Sequence, residues 1–364
     1  MKIICTQENL RNGLQQVSRI VGTSQTLPIL NNVLLQTENG LLKISTTDLE
    51  MGMSTSIRCK IEKDGDVCIS AKVLLDLVNN LPNENITIEV GDSETAVSTE
   101  KYQTKIKHFL AEEFPQIPAV EDGILVAIGA ADLKEVLDST AFAASTSETQ
   151  PEISGISMKF ENSKLTAVAT DRYRLGEMSI PVQTTDDRAV VVPHRSIIEL
   201  SRLLTGIEGS VGLNISQTQM ALTIGDTYMV SRLIDGQYPE YAQIIPTESG
   251  TVITLEHTSL LSALKTSGIF SRGAGSITLG YNPEKQIIQI MSASQGVGES
   301  VIDIPCTITG EAGSVILNYR YILDLLTNTN PKTLNIHVID DSKPVVFRPQ
   351  DKANYLYLIM PIRL

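Results

Sequence analysis

Tryptophan is absent from this chain of 364 residues, and aromatic residues make up only 4% of it. Its cores must therefore be built from Leu, Ile and Val, and a hydrophobic content of 42% is too ordinary for disorder. Cysteine is scarce. Cys5, Cys59, Cys68 and Cys306 show no CxxC spacing and read as reduced, small, buried residues of a cytosolic protein. The four histidines, His108, His194, His257 and His337, stand singly and form no HExxH, so no metal site is expected. No Gly-Lys dipeptide occurs, which excludes a Walker A loop. Gly273-Ala274-Gly275 lacks the third glycine of a dinucleotide fingerprint. No apolar run approaches the ~18 residues of a membrane helix. Met1 to Glu8 also lacks the apolar stretch of a signal peptide, so a cytoplasmic protein without membrane contact is expected. Positive charge is in deficit: 29 Lys and Arg face 42 Asp and Glu, a net charge of −13. Taken alone, that argues against a tight, charge-driven nucleic-acid binder.

Repetition is what the chain has in abundance. Asp66 to Leu77, Ala189 to Leu200 and Ser314 to Leu325 each run from an apolar strand pattern into a helix pattern. Each carries one basic residue near the helix start: Lys72, Arg195 and Arg320, at offsets of 123 and 125 residues. A period this long means three copies of one domain, since solenoid repeats are only about 20 to 50 residues long. Three amphipathic segments keep the register, Thr6 to Val21, Ala130 to Ala144 and Glu256 to Phe270, with leucine pairs 10/14, 133/137 and 260/264 one turn apart. Thr47-Asp48 recurs as Thr170-Asp171, and Phe114-Pro115 as Tyr238-Pro239, the latter two opening linkers.

Within a copy the first helix recurs at about 71 to 81, a half-repeat near 64 residues. Alternation predicts strands at Leu42–Ser45, Ile86–Val90, Leu222–Ile224 and Leu334–Val338. Hairpin turns are predicted at Asn39-Gly40 and Asp64-Gly65. The expected fold is α+β: three tandem domains, 1–120, 121–247 and 248–364, each of two helices with small antiparallel sheets.

Chemistry is hard to find. Ser262-Ala263-Leu264-Lys265 matches an acyl-transfer SxxK pattern, but the companion KTG and SDN motifs are missing and the segment falls in a core-facing helix. No catalytic residues and no cofactor are expected, and threefold repetition argues against a single active cleft. The basic residues are more informative. Arg11 and Lys134 occupy equivalent places on the first helices, with Lys265 one turn later in the third copy. Lys72, Arg195 and Arg320 are equivalent on the second helices, and Arg202 adds one more. Singly these are ordinary solvated residues. As an aligned set they form a basic face suited to a phosphate backbone contacted without base reading.

Several segments carry a resemblance: Thr26-Leu27-Pro28-Ile29-Leu30-Asn31-Asn32, Thr46 to Glu50, Ala169 to Leu175, Asp235 to Tyr241, and the terminal Met360-Pro361-Ile362-Arg363-Leu364. In this order and spacing, over the whole chain, it resembles the bacterial DNA sliding clamps, the β subunit of DNA polymerase III holoenzyme. The resemblance implies a head-to-tail homodimer closing into a six-domain ring around duplex DNA, with the helices lining the hole. It implies processivity for the replicative polymerase catalytic subunit, non-specific backbone contact, and a nucleoid-associated location. It also implies a pocket between the second and third domains that receives short peptides from polymerases, the clamp loader and repair proteins. The positions carried over are Ile153, Thr170, Tyr173, Arg174, Leu175, Pro239, Ile244, Asn318, Tyr321, Val345, Met360, Pro361, Ile362, Arg363 and Leu364, with Arg174 and Arg363 as a polar rim. The ring contact would join Lys72, Ile106 and His108 to Ile269, Phe270 and Arg272. Gln150, Ser24, Gln243 and Ala274 depart from the family pattern. An enzyme of nucleotide transfer and a protein-only scaffold of the same fold are the alternatives. The first lacks a carboxylate metal site, and the second leaves the aligned cations unexplained.

Overall fold

The computed structural model describes residues 1–22, 27–147, 149–248, 250–271, 275–294 and 296–363. The chain gathers into two compact units, residues 1–127 with 210–233, and residues 128–209 with 234–364.

The half-repeat is a strand running directly into a helix, and it occurs six times among the described residues. Strand Lys2–Thr6 leads into α1 (Gln7–Val17), Asp66–Ser70 into α2 (Ala71–Asn80), and Ile124–Gly129 into α3 (Ala130–Thr140). Strand Arg188–Pro193 leads into α4 (His194–Leu203), Thr251–Glu256 into α5 (His257–Ser267), and Gly313–Asn318 into α6 (Tyr319–Thr329). Three of the junction residues cap their helices. Thr6 accepts from the Asn9 amide at 3.3 Å, Ser70 from Val73 at 3.5 Å and Asn318 from Arg320 at 3.0 Å. Each first helix buries its predicted leucine pair completely.

The first helices stop sooner than their patterns predict, at Val17, Thr140 and Ser267. Partners outside the helix take main-chain carbonyls in the last turn. Thr46 Oγ1 donates to the Val17 carbonyl at 2.7 Å, and Ser292 Oγ donates to the Ser267 carbonyl at 2.8 Å. Apolar periodicity cannot register those partners. In the second and third copies the chain continues as short 3₁₀ turns, Ala141–Ala143 and Gly268–Phe270.

The predicted strand segments lie within strands Leu41–Thr47, Asn85–Val90, Gln219–Ile224 and Thr333–Val338. Asn39 and Gly40 both adopt positive φ, 52° and 79°, and close the hairpin between Asn32–Glu38 and Leu41–Thr47. Asp64-Gly65 is a correction. Its flanking strands do not pair with each other: Lys60–Lys63 pairs with Lys2–Thr6, and Asp66–Ser70 pairs with Asn32–Glu38. Gly65, at φ 153°, is instead held by Thr37 through main-chain and side-chain bonds. The local turn signal was real, but the partner strands were set by long-range burial.

Two strand pairings prepare the rest. In the first unit, Met51–Arg58 pairs antiparallel with Thr227–Arg232, so hydrogen bonding joins the first sequence copy to the second. In the second unit, Arg174–Pro181 pairs with Tyr355–Ile359 and joins the second copy to the third.

Candidate peptide groove and DNA-facing helices

The groove starts from one strand. Tyr355–Ile359 lies between Arg174–Pro181 and Val345–Pro349, and all five of its residues are buried. Alternation sends Leu356 and Leu358 to one face, where they pack with Val168, Leu175 and Val346. Half-buried Tyr238, Tyr241, Ile245 and Met360 lie over that cluster. Tyr355, Tyr357 and Ile359 occupy the other face. Beyond Ile359 the tail is pinned twice, by Met360 N–H to the Tyr173 carbonyl at 2.8 Å and by Ile362 N–H to the Ile316 carbonyl at 2.9 Å.

A turn forms one end of the groove. Thr170 Oγ1 donates to the Arg174 carbonyl at 2.7 Å and accepts from the Arg172 amide at 3.1 Å. Asp171 Oδ1 accepts from the amides of Tyr173 and Arg174, each at 3.0 Å. This frame holds Arg172 at φ 77° and leaves Tyr173 62% exposed. Beside it lies a cavity of about 650 Å³ lined by Gln150, Ile153, Asp171, Tyr173, Arg174 and Tyr321. A second cavity of about 550 Å³ shares Ile245 and Leu356 with the apolar cluster and adds Lys164, Glu177 and Arg348.

The structure therefore brings Ile153, Tyr173, Arg174 and Tyr321 together, with Thr170, Leu175 and Met360 adjoining them. Pro239 and Ile244 are exposed on the linker, Asn318 caps α6, Pro361 and Ile362 are half-buried, and Arg363 is exposed. Leu364 lies outside the described residues, as do Ser24, Arg272 and Ala274.

Two expectations need correcting. Val345 is fully buried and stands opposite Ile359, on the face away from the groove; its neighbour Val346 is the wall residue. A one-residue displacement on a strand reverses the face. Arg174 is not a rim cation. Its side chain is 12% exposed, its Nε donates to Asp171 Oδ2 at 3.0 Å, and its Nη1 pairs with Asp324 on α6. Its guanidinium lies 4.5 Å from the Tyr321 ring centroid and 5.9 Å from that of Phe142. Burial alone would lower its pKa. Tyr357, Asp324 and Asp171 outweigh burial and hold its pKa above the ordinary arginine value. Sequence reading missed the roof tyrosines Tyr238 and Tyr241, and the aromatic Tyr238 at the opening of the linker was the available signal. Burial pushes both phenols above their ordinary range.

The seven cations sit where the repeat placed them. Lys72, Arg195 and Arg320 are each the second residue of their helix, and all three are exposed. None of those helices has an acid in its first turn. A cation there opposes the positive end of the helix dipole and costs about 0.3–1 kcal/mol. Arg11 and Lys134 are each the fifth residue of α1 and α3, and Lys265 is the ninth of α5. Lys134 bonds Asp138 at 2.6 Å and Ser201 Oγ at 3.1 Å, and Arg202 pairs with Glu199. The Lys134–Asp138 pair is partly exposed and weak enough to rearrange, whereas Arg202 is exposed and Glu199 buried.

Of the expected ring-contact residues, Ile269 is 67% exposed and Phe270 half-buried, but Ile106 is buried within its own unit. His108 bonds Thr95 at 2.9 Å. The exposed apolar residues near them are Val73, Phe109 and Leu110, which the sequence did not single out. Strand Gln103–Phe109 pairs with Asp66–Ser70 only through its last two residues, and Gly298–Pro305 ends a four-stranded sheet with Val301 exposed.

Six strand–helix units of like design, two in each copy and each copy with antiparallel sheet, define a three-domain clamp of mixed helix and sheet. The DNA polymerase III beta subunit models match in the same three parts: N-terminal domain at residues 1–118, central domain at 127–240 and C-terminal domain at 242–363. The chain belongs to the DNA polymerase III beta subunit family, the beta sliding clamps. It is 32% identical over 373 residues to the beta sliding clamp of Synechococcus elongatus, with each chain covered completely. The crystal structure of the Bacillus subtilis DNA polymerase sliding clamp is similar at TM-score 0.96 and 26% identity, covering 100% of this chain and 99% of that one. The Pseudomonas aeruginosa sliding clamp bound to griselimycin is similar at TM-score 0.95 and 26% identity, with both chains fully covered. Among the described residues no helix is long and apolar enough to cross a membrane.

Proposed function

We propose that this chain is a processivity factor: two copies close head to tail around duplex DNA and tether the replicative polymerase. The family is a non-catalytic accessory of DNA polymerase III, and the chain's role is topological. The observation that carries this reading is the exposed cation at the second position of α2, α4 and α6, kept three times against the helix dipole. A phosphate backbone compensates a cation so placed, and the amides of the same helix end favour the same anion. Such contacts are non-specific and screened by salt, as sliding requires. A net charge of −13 then limits binding to what encirclement enforces.

Domain boundaries at 1–120, 121–247 and 248–364 fit this reading. The ring contact joins the exposed apolar residues Val73, Phe109 and Leu110 of one copy to Ile269 and Val301 of the other. The incompletely paired edge of Gln103–Phe109 meets the open edge of Gly298–Pro305 there. The groove over Leu358 and Leu175 receives extended peptides from the polymerase catalytic subunit, the clamp loader, and other polymerases and repair proteins. The protein works in the cytoplasm on the nucleoid, with no cofactor and no metal.

The test uses nicked circular DNA, the organism's clamp loader and ATP, with gel filtration before and after linearising the circle. Retention on the circle and loss from the linear form is the expected result. Equal retention on both would mean ordinary backbone binding and would end the ring reading.

A further inference from the structure

The junction that forms the peptide groove exists twice. At the first junction, Thr47 Oγ1 donates to the Met51 carbonyl at 2.7 Å and accepts from the Leu49 amide at 3.0 Å. Asp48 Oδ1 accepts from Glu50 and Met51 at 3.0 and 2.7 Å. Leu49 is held at φ 76°, in the place of Arg172 at φ 77°. The strand pairing repeats as well. Gly52 faces Val230 as Leu175 faces Leu358, and Met51 faces Ser231 as Arg174 faces Ile359. Even the bond that pins the tail recurs: Arg232 N–H donates to the Glu50 carbonyl at 2.8 Å, as Met360 N–H does to Tyr173. Buried Leu30, in the turn Pro28–Asn31, corresponds to buried Ile153 in the turn Pro151–Ile153.

Two things differ. A linker lies over both junctions, Tyr238 and Tyr241 covering Leu175 and Leu358 at the second; at the first, Gly52 stands in the place of Leu175 and Ile117 enters the vacated volume, where a Cβ on Gly52 would meet Ile117 Cγ2 at 2.7 Å and Val230 Cγ1 at 3.3 Å. The linker is also fastened. Tyr228 Oη donates to the Pro118 carbonyl at 3.0 Å and accepts from the Val120 amide at 3.3 Å, and Asn214 Nδ2 donates to the Val120 carbonyl at 2.6 Å. An extended segment with an apolar side chain over the paired strands, bonded through its main chain, is what a bound peptide would be.

We propose that the first junction is a second acceptor for extended apolar peptides, held shut by its own linker, with Ile117 as the resident anchor and Tyr228 and Asn214 as the clasp. This rests on reading the second junction as a peptide groove. It explains how a chain with two junctions of one frame presents one open groove, since a peptide must displace a fastened segment at the other.

The test is isoleucine δ1-methyl NMR with titration calorimetry on the full chain, using the acetylated, amidated peptide Ser-Leu-Ser-Leu-Phe as probe. Ile117 reports the first junction, and Ile244 and Ile245 report the second. In the unaltered chain, Ile244 and Ile245 shift and the stoichiometry is one peptide per chain. In Tyr228→Phe with Asn214→Ala, Ile117 also shifts and the stoichiometry becomes two. Loss of these bonds raises the affinity of the first junction by roughly tenfold or more. Tyr228→Phe alone removes one hydroxyl and serves if the double variant is unstable; a weaker Ile117 response is then expected. If Ile244 and Ile245 respond while Ile117 stays still in both variants, the proposal is wrong. If Ile244 and Ile245 fail to respond in the unaltered chain, the groove reading itself has failed.

Discussion

Asp324 on α6 reaches Arg174 on the strand beside the groove, and Asp171 holds the same guanidinium from the turn that precedes it. One half-buried cation thus ties the groove's turn, its strand and a helix of the third copy, with Tyr321 stacked on its face. Arg174→Met removes the tie and leaves Asp171 uncompensated at 16% side-chain exposure. Asp324 is partly solvated, which moderates the effect. A loss of about 2–3 kcal/mol is expected in urea unfolding, together with a loss of peptide binding. Unchanged stability would show that the ion triad is incidental.

Charge reversal at Lys72, Arg195 and Arg320 should separate stability from function. Glutamate in the first turn of α2 and α6 agrees with the helix dipole and should raise stability by a few tenths to about 1 kcal/mol at Lys72 and Arg320. Retention on circular DNA should fall sharply over the same substitutions. A thermal melt beside the loading assay checks both, and parallel losses in the two would point to a folding defect.

The paired turns permit a matched comparison. Thr47→Ala and Thr170→Ala each remove one hydroxyl that donates at 2.7 Å and accepts from an amide. Each should cost about 1–2 kcal/mol. Only Thr170→Ala should weaken peptide binding, read by fluorescence polarisation. Equal effects on binding would remove the distinction between the two junctions.

Acid should destabilise the chain through two half-buried histidines. Burial holds His194 below its ordinary pKa; burial, then Arg348, does the same to His337. Below the unfolded value of about 6.5 the unfolded chain therefore takes up more protons than the folded one, and stability falls as pH drops through that window. Denaturant midpoints between pH 7 and 5 test this. His194→Gln should flatten part of the slope.

Ile269→Asp places a charge in the exposed apolar patch of the third copy. Sedimentation should shift from dimer toward monomer, while the melting of the separate chain changes little. An unaltered dimer would move the contact elsewhere.

The repeat, the helices and the aligned cations were legible because each depends on local pattern. Leu10 with Leu14 and Lys72 near a helix start need no knowledge of distant partners. The groove was legible only in part. Val345 and Val346 are indistinguishable as letters because face depends on register, and register is set by the pairing with Ile359 and Leu358. Arg174 reads as a rim cation until Asp324, 150 residues away, is seen to neutralise it. Asp64-Gly65 reads as a hairpin until its two strands are found to pair elsewhere. These failures share a cause, since each concerns a contact distant in sequence.

Leu49 and Arg172 have nothing in common as letters, yet their backbones differ by one degree in φ. Duplication has preserved a wiring diagram: one threonine hydroxyl, one aspartate oxygen and the amides they serve. One place after that diagram the copies diverge, to Gly52 in the first and Leu175 in the second. Ancestry within this chain is therefore better traced by comparing bonds than by comparing residues, and kinship among copies persists after their spelling has diverged.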